Sequence, residues 1–395
     1  MRSYPWFWKI AFVSPLLFLS LVATGAAQTH RAAAESAASM DSARSNPTAA
    51  RAQKPGDEEK AQEHLRQGRA LLEKGDVNGA IREFRQAVRL NPNEAEARAS
   101  LGNALLEKGD VSGAVRELKE AIRINPRDPD AHLDLAAALG RQGDWAAAAE
   151  EYRQALVLNP ESLSTERKLS LACFNLGASH SQNQNWSEAI AAYREALRLN
   201  PNDVCAHNNL GLALEADGQT EEAIAEEREA IRLSPRFAAA RVNLGLMLQK
   251  SGDAEGGIEA VREAIRIEPN DWQSHAALGL MLLEKGDLDG ALAEHRLAAQ
   301  LGRHLPLPHV DLGRTLAARG NLNGAIGEYR RALKIHPDFV PALFYMGLAL
   351  EKKGDKAGAR RTLRRACSLD GWDEPTYRER CREFGLVRKT SESSR

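Results

Sequence analysis

The chain has 395 residues, and its 53 Lys and Arg are balanced by 54 Asp and Glu, for a net charge of −1. That balance leaves no basic footprint for nucleic acid. No phosphate loop, zinc-protease helix or nucleophile elbow is present, which argues against an enzyme and against a bound cofactor.

The first segment is a processing signal rather than fold. Arg2 and Lys9 precede an apolar run, Ile10 to Ala23, and the small residues Gly25, Ala26 and Ala27 follow. This order predicts a secretory signal peptide over 1–27, and with it export to a periplasm or to the outside. The alternative is an uncleaved membrane anchor over the uncharged residues 10–29, which would be the chain's only membrane contact. Removing 1–27 deletes two bases and no acid, which makes the mature charge −3. Residues 28–60 are rich in Ala, Ser, Thr, Gln and Arg with no aromatic, a composition expected to form a disordered linker.

A repeat array follows. Proline returns at Pro92, Pro126, Pro160, Pro201, Pro235, Pro269 and Pro337, in steps of 34 or its double except for 41 residues between Pro160 and Pro201. In residues 95–128, Ala97, Leu101, Ala104 and Leu105 mark one helical face. Gly109 breaks the pattern, and Val111, Ala114, Val115, Leu118, Ala121 and Ile122 mark a second face, which Asn125-Pro126 stops. The unit is helix, tight turn, helix. Gly102 and Ala114 predict close approach of its two helices. One pair cannot bury its own apolar face, so neighbours must stack on it.

The spacing Leu101-Gly102, Leu105, Ala114, Leu118, Ala121, Pro126 resembles the tetratricopeptide repeat, and it recurs from residues 61, 95, 129, 170, 204, 238, 272, 306 and 340. The resemblance implies an all-α solenoid, a right-handed superhelix of nine helix-turn-helix repeats over 61–373 with a concave groove. Gln67, Ala136 and Met346 depart from the pattern, and Gln184 stands where eight repeats have a turn glycine. The seven inserted residues, Leu163 to Leu169, equal about two helical turns. They predict a longer first helix in the fourth repeat, which should divide the array into three plus six. Residues 374–386 predict a capping helix and 387–395 a polar tail.

His64, His132, His207, His275 and His309 share the fourth repeat position. Equivalent side chains in stacked repeats should lie about 10 Å apart, too far to share a metal, so none is expected. Asn175, Asn209 and Asn243 sit just before three Leu-Gly pairs, 34 residues apart. An amide offers a donor and an acceptor together, which suits the backbone of an extended peptide. The pattern is similar to the inner asparagine ladder of the repeats of O-linked N-acetylglucosamine transferases, whose catalytic domain has no counterpart here. Ser100, Asp134, Ala277 and Asp311 take the same position elsewhere. The lysine-asparagine clamp of chaperone-tail receptors is not matched. Leu212, Leu246 and Leu280 are expected in the groove or against the next helix, and Phe174 and Phe344 could add apolar contacts. Of four cysteines, Cys367 and Cys381 are placed to form a disulfide that ties the cap to the ninth repeat. Cys173 and Cys205 read as buried free thiols.

The expectation is an exported scaffold that binds protein or peptide in its groove. The alternatives are a structural subunit of an envelope complex, bound by its convex face, and an enzyme with a composite site that motifs do not show.

Overall fold

A computed structural model describes residues 56–369 and 375–383, and its regular structure is helical throughout, with no strand among the described residues. The signal segment, residues 28–55 of the linker and the polar tail lie outside the described residues. No described helix is long and apolar enough to cross a membrane.

The chain forms two compact units that part between Asp217 and Gly218. In the first, α1 (Asp57–Glu73) packs on α2 (Val77–Leu90), α3 (Ala95–Lys108) on α4 (Val111–Ile124), α5 (Pro129–Gln142) on α6 (Trp145–Leu158), and α7 (Leu163–Gln182) on α8 (Trp186–Leu199). Helix α9 (Val204–Ala216) closes this unit against α8. The second unit opens with α10 (Thr220–Leu233). It continues with the pairs α11 (Ala238–Ser251) and α12 (Ala254–Ile267), α13 (Trp272–Lys285) and α14 (Leu288–Leu301), α15 (Pro306–Ala318) and α16 (Leu322–Ile335), and α17 (Val340–Lys353) and α18 (Lys356–Ser368). The short α19 (Pro375–Glu383) caps it against α18. Each second helix also packs on the next first helix, so both units are α-solenoid stacks of helix pairs.

Local chemistry sets the helix ends. The turn residue Gly109 takes φ 91°, a left-handed conformation that costs glycine little, and seven equivalent glycines do the same. Gln184 holds the slot at φ 60°, the one described non-glycine residue at positive φ. The acid after the glycine starts the second helix: Asp76 accepts from the Gly79 amide at 2.8 Å and Asp110 from the Gly113 amide at 2.9 Å, which satisfies an amide the helix cannot pair. At the other end Asn91 leaves the helical region at φ −127°, ψ 88°, ahead of its proline.

The core is a column of small residues meeting large ones. Gly68 faces Phe84, Gly102 faces Leu118, Gly177 faces Tyr193 and Gly313 faces Tyr329, and each added Cβ would come within 2.4–2.7 Å of the ring or branch opposite. Ala80, Ala87, Ala104, Ala114 and Ala121 are buried between the same helices. The backbones of α11 and α12 also approach closely, since a Cβ on Gly257 would lie 2.6 Å from the Gly245 carbonyl oxygen.

Two expectations about boundaries are not met, and a third is. Helix α1 begins at Asp57, inside the predicted linker, because Asp57, Glu58 and Glu59 place three carboxylates at the positive end of its dipole. The insertion does lengthen α7 to 20 residues, started by the Ser162 hydroxyl, which accepts from the Thr165 amide at 3.3 Å. It does not divide the array into three plus six, since the units part at 217/218. Leu169, Ala172 and Cys173 of α7 stay packed with Ala149 and Tyr152 of α6, and the Ser170 hydroxyl donates to the Ala196 carbonyl of α8 at 3.0 Å. Two added turns keep the apolar face in phase, so packing runs through the insertion.

Candidate functional site

The asparagines that precede the Leu-Gly pairs differ in their surroundings. In the first unit Asn175 is half-buried and makes no side-chain hydrogen bond among the described residues. Asn209 accepts from the Asn208 amide at 3.1 Å and lies within reach of the Tyr193 hydroxyl. In the second unit Asn243 is buried and faces the carboxyl of Glu227. Asp134, at the same repeat position, accepts from Asn103 at 2.5 Å, and burial raises its pKa above the usual carboxylate range.

Most of the apolar residues expected in the groove belong to the core. Leu212 is 2% exposed, Leu280 is buried, and Leu246 is half-buried against the cluster of Ile258, Val261 and Met281. Phe174 is half-buried with its ring 5.8 Å from that of Tyr193. Phe344 is buried between Tyr345 and Tyr377, with ring centroids 5.4 and 5.6 Å away, so it adds no groove surface. The reason is shared: a first helix has neighbours on two sides, and these positions fill the gap to one of them.

An exposed strip on α7 was not singled out from the sequence. Leu163, Arg167, Leu171 and Asn175 stand four residues apart and form one row along the helix. Leu163 is 67% and Leu171 60% exposed. Beside them Lys168 lies near Asp134, while Arg167 is exposed and has no carboxylate partner among the described residues. The signal was available as an i,i+4 row that starts in the insertion and runs into the fourth repeat.

The repeat-position histidines are latches within repeats. His132 Nδ1 meets the Glu151 carboxylate at 2.6 Å and its Nε2 the Pro126 carbonyl at 3.1 Å. His275 does the same with Glu294 at 2.6 Å and Pro269 at 2.9 Å, and His309 with Glu328 at 2.9 Å and Arg303 at 3.3 Å. In the second repeat Arg98 replaces the imidazole, donating to Glu117 and to the Pro92 carbonyl, each at 2.9 Å. The glutamate nineteen residues on was the sequence signal for this pairing.

The second unit also holds a buried polar group. His295 Nδ1 meets the Thr315 hydroxyl at 2.7 Å, and that hydroxyl donates to the Asp311 carbonyl at 3.1 Å. Arg314 lies 3.4 Å from one Asp311 carboxyl oxygen and 5.0 Å from the centre of the Tyr345 ring. Burial raises Asp311 to about 6, against the pull of Arg314, and burial lowers His295 to about 4. Glu227 is 0% exposed, neither of its oxygens finds a well-formed hydrogen bond, and burial holds its pKa well above the usual range. No group of three or more metal-ligating side chains occurs among the described residues.

Cys367 and Cys381 form a disulfide between α18 and α19, with Cα atoms 5.5 Å apart. The Tyr377 hydroxyl joins them by donating to the Ala366 and Leu369 carbonyls. Cys173 is buried as expected, whereas Cys205, expected to be buried, is exposed.

The chain belongs to the tetratricopeptide repeat family. A tetratricopeptide repeat model matches residues 65–129, 101–162, 174–236 and 242–306, more than half of the chain, and two further repeat models match 313–354 and 341–369. It is thus a helical repeat scaffold of the kind that binds peptides or proteins. Among solved structures it is similar to the MamA protein, at 24% identity over 46% of this chain and 94% of that one, with a TM-score of 0.36. It is also similar to YrrB, described as a repeat protein with an unusual peptide-binding site, at 19% identity over 48% and 95% of the two chains, with a TM-score of 0.37. The yeast Tom70 structure shares 14% identity over 84% and 97%, with a TM-score of 0.44. The sequence matches no curated relative.

Proposed function

We propose that the chain is an exported, non-catalytic scaffold that holds a peptide or protein segment along the inner face of its first helices. The observation that carries this reading is Asn175. Its amide is half-buried, uses neither donor nor acceptor on its own fold, and lies one turn from an exposed leucine. An amide so placed can pair with the N–H and C=O of a bound backbone, and a neighbouring leucine can take an apolar side chain. Export rests on the signal-like segment and is supported by the Cys367–Cys381 disulfide, since such bonds persist in oxidising compartments.

The test is a peptide selected from a display library against the purified chain. Replacing Asn175 by Ala removes two hydrogen bonds at most, each contributing about 0.5–1.5 kcal/mol. Its affinity should fall roughly three- to tenfold or more while the melting temperature stays put. Equal affinity for both proteins would remove the groove assignment. Location is read separately, by sequencing the N-terminus of protein recovered from the envelope or the medium.

A further inference from the structure

Among the described residues four large hydrophobic side chains are exposed: Val157, Leu163, Leu171 and Ile335. Three of them fall within fifteen residues, across the end of α6 and the first half of α7. At the repeat position of Val157, other second helices carry an arginine paired with a glutamate three residues back: Arg123 with Glu120, Arg198 with Glu195, Arg232 with Glu229 and Arg266 with Glu263. Here Gln154 and Val157 replace that pair. On α7 the pattern is reversed as well, since Arg167 lies between the two exposed leucines without a carboxylate. Leu163 and Leu171 are eight residues apart, about 12 Å along the helix. The end of α6 and the first half of α7 therefore carry an apolar surface with an arginine, unpaired among the described residues, at its centre.

We infer that the Leu163–Arg167–Leu171 strip of α7 docks an acidic amphipathic helix of another protein, with leucine-like anchors on the two leucines and a carboxylate on Arg167. This rests on the reading of the chain as a protein-binding scaffold and names the chemistry of one partner. Charge selects the occupant. Residues 1–55 carry Arg2, Lys9, Arg31, Arg44, Arg51 and Lys54 against Glu35 and Asp41, and residues 384–395 carry Arg388, Lys389 and Arg395 against Glu392. Both end segments are net basic and would be repelled by Arg167 and Lys168. A second copy docking by a two-fold would set Arg167 against its own counterpart at the centre of the strip. An acidic helix meets neither obstacle, and anchors spaced at i, i+4 and i+8 match the row.

The probe is a fluorescein-labelled peptide of four Glu-Leu-Leu-Glu units, with its Lys-for-Glu counterpart as control, measured by anisotropy on the full chain. Expected is saturable binding of the acidic peptide, at least tenfold tighter than the basic one and weakened by raising salt from about 50 to 500 mM. Leu163→Ser with Leu171→Ser, and separately Arg167→Glu, should each weaken it tenfold or more, with unchanged circular dichroism melting because all three side chains are exposed. Undiminished binding by either variant, or equal binding of both peptides, overturns the inference. So does no binding of the acidic peptide. If the library-selected peptide still binds in that case, the scaffold reading survives alone; if neither binds, both fall.

Discussion

At the twenty-fourth repeat position the first unit places Phe84, Leu118, Tyr152 and Tyr193, whereas the second places Glu227, Val261, His295, Tyr329 and Leu363. All nine are buried. The same slot thus has an apolar or aromatic occupant throughout one unit, and a carboxyl or imidazole once each in the other. Packing volume, not polarity, is what the slot demands. The polar occupants carry a desolvation cost that the first unit avoids, and the second unit's stability becomes sensitive to pH. The first unit differs in the opposite sense, leaving leucines on its surface where the second buries its own.

The largest effect on this contrast should come from Gly257→Val. Its side chain would meet the Gly245 backbone, which cannot rotate away, so a loss of about 3 kcal/mol or more is expected. Hydrogen exchange should rise across α11 and α12 and leave α1–α8 protected. Gly102→Ala in the first unit meets the Leu118 side chain rather than backbone, so its cost should be smaller, about 1–2 kcal/mol. Equal losses would show that both helix pairs yield alike.

The next effect is the pH dependence of Glu227. A carboxyl whose folded pKa is raised contributes its full stability below the unfolded pKa, near 4, and loses it as pH climbs through the folded value. Glu227→Gln should therefore match the natural chain at pH 4 and exceed it by about 1–3 kcal/mol at pH 9, read from urea melts across the range. Asp311, raised to about 6, loses stability over pH 4–6, while His295, lowered to about 4, gains it over pH 4–6.5. These two offset, so the slope at higher pH belongs to Glu227. A flat difference between the two proteins would remove Glu227 as its source.

Reducing Cys367–Cys381 should act more locally. The bridge spans 14 residues, and its loss should cost about 2–3 kcal/mol, confined to α18 and α19. Exchange protection in α19 should vanish under reductant while the rest of the chain holds. Four reactive thiols in unfolded, non-reduced protein would contradict the bond. The smallest effect is a gain: Gln184→Gly relieves a left-handed φ of 60° and should add about 0.5–1 kcal/mol in urea melts, sharpening the first unit's advantage.

The helix ends were legible because their causes are local. A glycine turn, an aspartate cap and an Asn-Pro stop act within a few residues, so the thirty-four-residue period and the helical phase of the insertion could be read directly. The latches between His132 and Glu151 were legible only in part, since they join residues nineteen apart on two helices. The sequence by itself determined the repeat, the helix pairs, the packing glycines and the cysteines of the cap. Tertiary structure alone decided which polar and apolar residues remain available. Asn209 and Asn243 share a repeat position with Asn175, but each meets a side chain sixteen residues earlier, Tyr193 or Glu227, and Asn175 does not. Leu212 and Leu171 are both leucines on first helices, yet one is covered and the other exposed. That outcome depends on what the neighbouring helix carries and how far it extends, which a repeat's own residues do not specify.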